Sequence, residues 1–481
     1  MQTKNLSLHD LIGNMPITGI SMDSRTVKPG DLFFALNPLY IDEAVQKGAK
    51  IIICEKAPIK KYNIPIIPTD DLRNKIGIFA SEFYHQPSKN LHIIGVTGTN
   101  GKTSCTHFIA QAFKMAGFKS AVMGTLGNGF IEHINPGTHT TPDPILLQQL
   151  LADFAQQKTD FIAMEASSHG LEQGRLNGVN IETGVFTNLT RDHLDYHQNM
   201  ENYAQAKFRL FEHQGLKHAV LNLDDAYGLE WAKKLKSTYP KLDIYGITTS
   251  STLPIIDIPI ISAGKIQTSI TGLTAEIKSP WGENTLNTNL LGKFNLSNLL
   301  CVLTVLGIYK LSLENIVNYL GQLKTAPGRM EMLGGTSGKP LIIIDYAHTP
   351  DALLKTLQAL REHCEGELWC IFGCGGDRDQ GKRPEMGAIA EQYADQMIIT
   401  DDNPRSENPA NIIADIRKGL VSSKNIIIEH DRRRAIEHAL SSTKEGDIIL
   451  IAGKGHETYQ EIGNQKIPYN DSLAVKILLL D

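Results

Sequence analysis

Short runs of apolar residues alternate with amphipathic stretches along most of the chain. Ile93-Ile94-Gly95-Val96 reads as a buried parallel strand. A helix-like run follows, in which Phe108, Ile109, Ala112, Phe113 and Ala116 recur at helical spacing, with Gly117 where a C-terminal cap belongs. Phe161-Ile162-Ala163-Met164, ending at Glu165, and Gly184-Val185-Phe186-Thr187-Asn188 read as further strands. The stretch from Gly246 to Trp281 alternates and is rich in Ile and Thr, which fits strands or an inserted sheet. Beyond it, Leu341 to Ile344, Leu368 to Phe372, Met397 to Thr400, Asn425 to Ile428 and Ile448 to Ile451 are strands set between helical stretches, a doubly wound pattern. The first part is shorter: a strand Leu32 to Leu36, a helix from Ala44 to Ala49, and a strand Ile51 to Ile53. Pro87 and Ser88 read as a linker, and Pro327-Gly328-Arg329 as a hinge. The expectation is an α/β protein of three domains: a small α/β domain over 1–88, a central one with a mostly parallel sheet over 89–325, and a doubly wound one over 326–481.

Bulk properties narrow the class. At 481 residues the chain exceeds what one core usually organises. Its 41% hydrophobic and 21% charged content are those of a globular protein. A net charge of −5 gives no reason to expect nucleic acid or an anionic membrane as partner. Met1 to Asn14 lacks the apolar core of a signal peptide, and no apolar run approaches a membrane span, so a cytoplasmic location without membrane insertion is expected. The six Cys lack paired zinc spacings and read as reduced thiols; a metal role for Cys370 and Cys374, near a glycine turn, is the weaker reading.

The strongest chemical signal is Thr97-Gly98-Thr99-Asn100-Gly101-Lys102-Thr103-Ser104, between the strand at 93–96 and its helix. Glycines admit phosphates close to backbone N–H groups, the helix N-terminus adds positive potential, Lys102 adds a full charge, and Thr103 offers a hydroxyl to Mg²⁺. Two residues separate Gly98 from Gly101, where the general phosphate-loop pattern has four. The plain alternative is a tight turn with a chance Lys. Glu165, at the carboxyl end of its strand, is well placed for Mg²⁺, or is simply solvated. Arg191-Asp192-His193-Leu194-Asp195-Tyr196-His197 crowds metal-capable side chains after a strand. Lys207, taken alone, reads as a surface lysine. In the last domain four strand ends carry charged or glycine-rich turns: Asp345 to His348, Gly373 to Arg378, Asp401-Asp402-Asn403-Pro404-Arg405, and Gly453-Lys454-Gly455-His456-Glu457. Open parallel sheets bind ligands at such ends.

Together these motifs resemble the Mur ligase family over nearly the whole chain. The segments that carry the likeness are Thr97 to Thr103, Met164 to His169, Thr187 to His197, Gly292 to Asn298, Gly328 to Glu331 and Asp345 to Asp351, in family order. The resemblance implies a first domain that binds the UDP end of a substrate, a central P-loop ATPase-like domain, and a Rossmann-like domain for the incoming amino acid. It implies ATP-dependent amide formation through an acyl phosphate in peptidoglycan precursor synthesis, with Mg²⁺. The partners would be ATP, UDP-N-acetylmuramoyl-dipeptide and meso-diaminopimelate, and the enzyme would act as a monomer.

Residue by residue, the likeness assigns Gly98, Thr99, Asn100, Gly101, Lys102, Thr103, Ser104, Asn295, Arg329, Asp345 and His348 to the nucleotide. Glu165 and His193 would hold metal with Thr103, and Lys207 matches a carbamylated lysine. Lys102, Lys207 and His348 are the catalytic candidates. Ser24, Thr140, Thr141, Ser167, Gln173 and Arg175 resemble the cradle for the UDP-linked substrate. Arg378, Asp402, Asn403, Arg405, Gly453 and Glu457 resemble the amino-acid site of the diaminopimelate-adding branch. Arg405 would bind the far carboxylate that lysine lacks; a buried, unpaired Arg would penalise lysine by about 2–5 kcal/mol.

One departure stands out. The family's Gly-rich loop after the strand at 32–36 helps hold uridine, whereas Leu36-Asn37-Pro38-Leu39-Tyr40 runs almost directly into a helix. Ser24 is retained. The alternatives are a lysine-adding relative, a folylpolyglutamate synthetase, which the complete third-domain motif argues against, and a nucleotide-binding regulator without ligase activity.

Overall fold

A computed structural model of the chain describes residues 7–336, 338–422 and 425–480. Part of the segment read for a leader, Met1 to Leu6, lies outside the described residues. The chain folds into two compact units, one of residues 1–221 with 225–245, the other of 222–224 with 246–481. Residues 89–325, expected to share one domain, are thus divided between them.

The first unit contains a four-stranded parallel sheet, Ile20–Ser21, Leu32–Ala35, Ile51–Cys54 and Ile66–Pro68 in that order. The short strand Leu32–Ala35 leads through Asn37, which caps a single turn Pro38–Tyr40, straight into the helix Ile41–Gln46. The expected linker is a packed turn instead: Pro87 and Ser88 are buried, and Ser88 Oγ accepts from the Asn180 N–H at 3.0 Å. A buried backbone N–H needs such a partner, which holds the segment down.

The larger sheet of this unit is built around the strand His92–Thr97, flanked in parallel by Phe161–Glu165 and Thr183–Phe186. All six residues of the central strand except His92 are buried, as a parallel strand covered on both faces requires. The strand Ser120–Gly124 lies beyond Phe161–Glu165 and was not legible as a separate element. The helix Lys102–Met115 starts at the glycine turn, and Gly117 follows its end in a left-handed conformation, as its spacing predicts.

In the second unit the alternating stretch is an antiparallel meander, Ile260–Ser269, Gly272–Ser279 and Gly282–Thr288. Next come the apolar helix Lys293–Ile308 and then a six-stranded sheet. Its order is Glu331–Gly334, Leu341–Asp345, Ile448–Ala452, Leu368–Phe372, Gln396–Ile399, Ile426–Ile428, parallel apart from the first strand. Ile448–Ala452, the latest of these strands in sequence, lies between Leu341–Asp345 and Leu368–Phe372, and the chain segments after Asp345, Phe372, Ile399 and Ala452 all leave at carboxyl ends. No helix among the described residues is long and apolar enough to cross a membrane. Of the six cysteines five are buried; Cys374 packs its Sγ 3.8 Å from Met386 Sδ, and burial pushes the Cys370 and Cys374 thiols up to about 12.

Candidate functional site

The first unit builds its site on the turn between His92–Thr97 and Lys102–Met115. Gly98 has φ +149°, and a Cβ there would fall 1.9 Å from Thr187 Oγ1, so only glycine lets the turn meet the neighbouring strand end. Thr99 N–H donates to Asn188 O at 2.8 Å and Asn100 N–H to Asn188 Oδ1 at 3.0 Å. These two amides are therefore spent on fixing the turn, and the anion-binding potential concentrates at the helix start, Gly101 to Ser104. Lys102 folds back, its Nζ donating to Gly98 O at 2.8 Å and Thr99 O at 2.9 Å.

Lys207, from the helix Met200–Phe208, is not a surface residue. It is 1% exposed, its Nζ donates to the same Gly98 O at 2.7 Å, and it lies over the Tyr203 ring. Burial, reinforced by the Lys102 charge, pushes its pKa well below the usual lysine value. Two amines thus share one carbonyl.

A connected set of hydrogen bonds leads away from the turn. Thr103 Oγ1 donates to Glu165 Oε1 at 2.9 Å; Thr125 donates to the same carboxylate through N–H and Oγ1, at 2.8 and 3.1 Å. Thr125 Oγ1 meets Thr140 Oγ1 at 3.1 Å. Thr141 Oγ1 lies 2.8 Å from Glu165 O and 2.9 Å from Ser167 Oγ, and Arg175 Nη1 donates to Thr141 O at 2.8 Å. Arg175 also donates to Gln173 Oε1, whose Nε2 donates to Tyr196 OH at 3.1 Å. Five expected cradle residues and the expected metal carboxylate therefore form one network. Thr125, which the sequence reading missed, sits in it because it follows the unread strand Ser120–Gly124.

His193 caps the short helix Leu194–His197 with φ +52°, near Asp192 and with its ring 5.0 Å from His169. Burial lowers its pKa, so the ring is neutral and its lone pair is available at neutral pH. No group of three His, Cys, Asp or Glu among the described residues stands close enough to make a metal cage. The donors that do converge, the Thr103 hydroxyl and the Glu165 carboxylate, are hard oxygens, which suits Mg²⁺ bound mainly by one or two protein groups and phosphate oxygens. Ser24, in the small sheet, is buried and donates to Glu43 Oε2 at 2.5 Å.

In the second unit Asp345 accepts from the Met330 and Ala347 N–H groups at 2.8 and 3.0 Å; burial raises its pKa and the Arg329 charge opposes that rise. Arg329 stacks on the Tyr346 ring at 4.5 Å, and its buried Nε has no hydrogen-bond partner among the described residues. His348 and His456 rings lie 4.6 and 5.3 Å from Tyr346, and burial, aided by Arg329, lowers the His456 pKa to about 4. Asn295 is different: it is 2% exposed, with Nδ2 donating to Leu291 O and Oδ1 accepting from Asn298. Those bonds secure the start of the helix Lys293–Ile308, and a nucleotide contact would have to displace them.

The expected amino-acid residues gather at two strand ends. Asn403 Nδ2 donates to Glu457 Oε2 at 2.8 Å. Gly453, with φ +110°, has no room for a Cβ, which would fall 2.6 Å from Asp402 Oδ2. Asp402 is buried, which raises its pKa, and it faces Arg432 and Lys454. Arg432 forks onto Asp471 at 2.8 and 2.9 Å and donates to Ala452 O, with both side chains wholly buried. Arg378 is exposed on the loop after Phe372. Arg405, held at φ +49°, donates from Nε to Glu461 Oε2 at 3.0 Å and from Nη1 to Gly376 O at 2.8 Å. It is therefore paired and part-exposed, and the expected penalty for leaving it unpaired beside lysine is correspondingly reduced.

This architecture, a phosphate turn bonded to a strand-end carboxylate in one unit and a doubly wound sheet with charged loops in the other, is matched by two family models: the Mur ligase middle domain over residues 96–306, and the Mur ligase, glutamate ligase domain over residues 328–455. The chain belongs to the Mur ligase family. Among its relatives, the UDP-N-acetylmuramoyl-L-alanyl-D-glutamate–2,6-diaminopimelate ligase of Coxiella burnetii is 46% identical over 96% of this chain and 95% of its own length. The protein of the same name from Chromobacterium violaceum is 44% identical over 95% and 93%. A solved structure of a ligase with that name superposes with a TM-score of 0.73 at 39% identity, covering 96% of this chain and 95% of the other. The MurF ligase of Thermotoga maritima in complex with ADP, at 18% identity and TM-score 0.61 over 92% and 95%, shares the fold.

Proposed function

We propose that this chain joins meso-diaminopimelate to UDP-N-acetylmuramoyl-L-alanyl-D-glutamate, at the expense of ATP, in the synthesis of peptidoglycan precursors. The near full-length likeness to ligases of that name supports the substrates. The observation that carries the reading is the hydrogen-bonded path from Thr103 through Glu165, Thr141 and Ser167 to Arg175. It ties a phosphate-binding helix start to a cationic, hydroxyl-lined cradle suited to a substrate carboxylate.

The substrate carboxylate attacks the γ-phosphorus of ATP, the bond to ADP breaks, and an acyl phosphate results. The amine of the amino acid then attacks the acyl carbon, loses a proton, and expels phosphate. Gly98 to Ser104 hold the phosphates, and Lys102 swings from Gly98 O to the transferring group, balancing its charge. Thr103 and Glu165, with His193, would hold Mg²⁺, which supplies further neutralisation of phosphate charge when bound. Lys207 reacts as the neutral amine with carbon dioxide: an N–C bond forms, a proton leaves, and the carbamate anion replaces a cation beside Lys102. Its lowered pKa favours the neutral amine this step needs. Thr140, Thr141, Ser167, Gln173 and Arg175 orient the muramoyl-dipeptide, with Ser24 at the uridine end. Arg329, Asp345, His348 and Asn295 are assigned to the nucleotide through the family likeness. Arg378 takes the carboxylate beside the reacting amine. Asp402, Asn403, Arg405, Gly453 and Glu457 hold the far end. Use of ATP and largely buried cysteines suit an enzyme of the cytoplasm, which this reading takes to act as a monomer.

The test is ADP and amide formation with each substrate withheld in turn. Release of ADP that requires both the UDP-linked dipeptide and meso-diaminopimelate is expected; release indifferent to the UDP-linked dipeptide would sink the assignment.

A further inference from the structure

We infer that Lys454 is a positioning residue for the amino-acid substrate, its ammonium fixing the Asn403 amide and the Glu457 carboxylate in the orientation that selects meso-diaminopimelate. The inference rests on reading these loops as the amino-acid site. It concerns a residue to which the sequence motif assigned no role.

Lys454 follows Gly453 at the carboxyl end of the strand Ile448–Ala452. Its side chain is wholly buried, which is rare for lysine unless it is paired. The Nζ donates to Asn403 Oδ1 at 3.0 Å and to Glu457 Oε2 at 2.8 Å. An ammonium has donors only, so it meets the oxygen end of the amide. The Glu461 N–H, at 2.9 Å from the same Oδ1, makes the same demand. With its oxygen end so fixed, Asn403 turns Nδ2 to Glu457 Oε2 at 2.8 Å. Two donors thereby converge on one carboxylate oxygen. Glu457 is 21% exposed, and its other oxygen, Oε1, is the one these bonds leave for a ligand ammonium.

Lys454 therefore does not need to touch the ligand. Without its charge, Glu457 keeps only the amide as a partner among these groups, and its carboxylate is able to turn. Lysine carries a far ammonium too, so the preference suffers through the carboxylate beside it: with Glu457 free to turn, the ammonium no longer seats that carboxylate toward Arg405, a match that lysine cannot make.

Lys454→Met keeps the length and removes the charge. Turnover is measured with meso-diaminopimelate and with L-lysine, at saturating ATP and UDP-linked dipeptide. The KM for meso-diaminopimelate is expected to rise by about tenfold or more, as for loss of a hydrogen bond to a charged group, and the preference over lysine to fall by a smaller factor, since lysine shares the far ammonium. The KM values for ATP and the UDP-linked substrate stay at wild type. A merely structural role would lower the melting temperature and leave the preference unchanged. Lys454→Arg, which restores a cation, is expected to recover most of the preference. If Lys454→Met does not fold, Lys454→Gln carries the same comparison. A wild type that prefers meso-diaminopimelate beside a neutral variant that prefers it equally overturns this inference alone. A wild type that uses both amino acids equally overturns the reading of the site, and the inference with it.

Discussion

The phosphate turn of the first unit and the strand-end loops of the second handle charge in opposite ways. At the turn, Lys102 and Lys207 both point at the carbonyl of Gly98, so two amines share one neutral acceptor. In these loops and the helices beside them, cations come with carboxylates: Arg405 with Glu461, Lys454 with Glu457, Arg432 with Asp471, and Arg383 with Glu407 and Asp415. The first arrangement improves when any anion arrives. The second already has its balance, so a ligand must supply a better match than the internal partner it meets. On the proposed function, the first arrangement suits a phosphate common to many enzymes, and the second suits telling similar amino acids apart.

The contrast is broken most sharply by Lys102→Ala. Its turnover should fall by roughly 10³-fold or more, since it removes charge from the transferring phosphoryl group, while the melting temperature stays close to wild type. A folded variant with near-normal turnover would show that the turn does not use its cations in this way. Arg432→Met probes the balanced side. Removing one partner leaves Asp471 buried and alone, and about 3–5 kcal/mol of stability should be lost in urea unfolding. A loss below about 1 kcal/mol would mean the pair is not the internal tie the geometry indicates.

Lys207→Ala should lose roughly 10²-fold in turnover, with partial recovery on adding formate, whose carboxylate stands in for the lost carbamate. An active variant indifferent to formate would remove Lys207 from the reaction. Arg405→Ala should reduce the preference for meso-diaminopimelate over lysine by about ten- to a hundredfold; the Glu461 pairing argues for the lower part of that range. An unchanged ratio would shift the specificity to Glu457 and its supports.

A further effect is in pH. His456 titrates at about 4 in the fold against 6.5 ordinarily, so the folded state favours the neutral ring. Its contribution is fully present above pH 6.5 and is lost as pH falls towards 4. About 2 kcal/mol of stability should go over that range, after allowing for its partial exposure, and His456→Gln should flatten the slope. Parallel slopes in the two proteins would exclude His456 as the cause.

The parts of the fold that follow from local pattern were legible beforehand. Buried parallel strands announce themselves as unbroken apolar runs, and Gly101-Lys102-Thr103 marks a helix start that accepts phosphate. The strand ends at Asp345, Asp401 and Gly453 were legible for the same reason. What stayed hidden depends on partners distant in sequence. Lys207 looks like a surface residue until Gly98, 109 positions away, takes its proton donor. Arg405 promises an unpaired fork until Glu461 arrives from a hairpin 56 positions on. Thr125 had no signal because its strand, Ser-Ala-Val-Met-Gly, is short and mixed.

The free cysteines carry a practical consequence. Thiols react as thiolates, and burial holds those of Cys370 and Cys374 at about 12, far from ionisation at neutral pH. Alkylating reagents and mild oxidants therefore find them only when the sheet around them opens. Both sit in one short stretch, at a strand centre and just past its end, immediately before the glycine turn that leads to Arg378. The rate at which they are labelled is a built-in clock for local unfolding of that layer, read without any substitution in the chain. If the proposed amino-acid site is right, bound amino acid should slow that clock by an amount that measures how far it rigidifies the sheet.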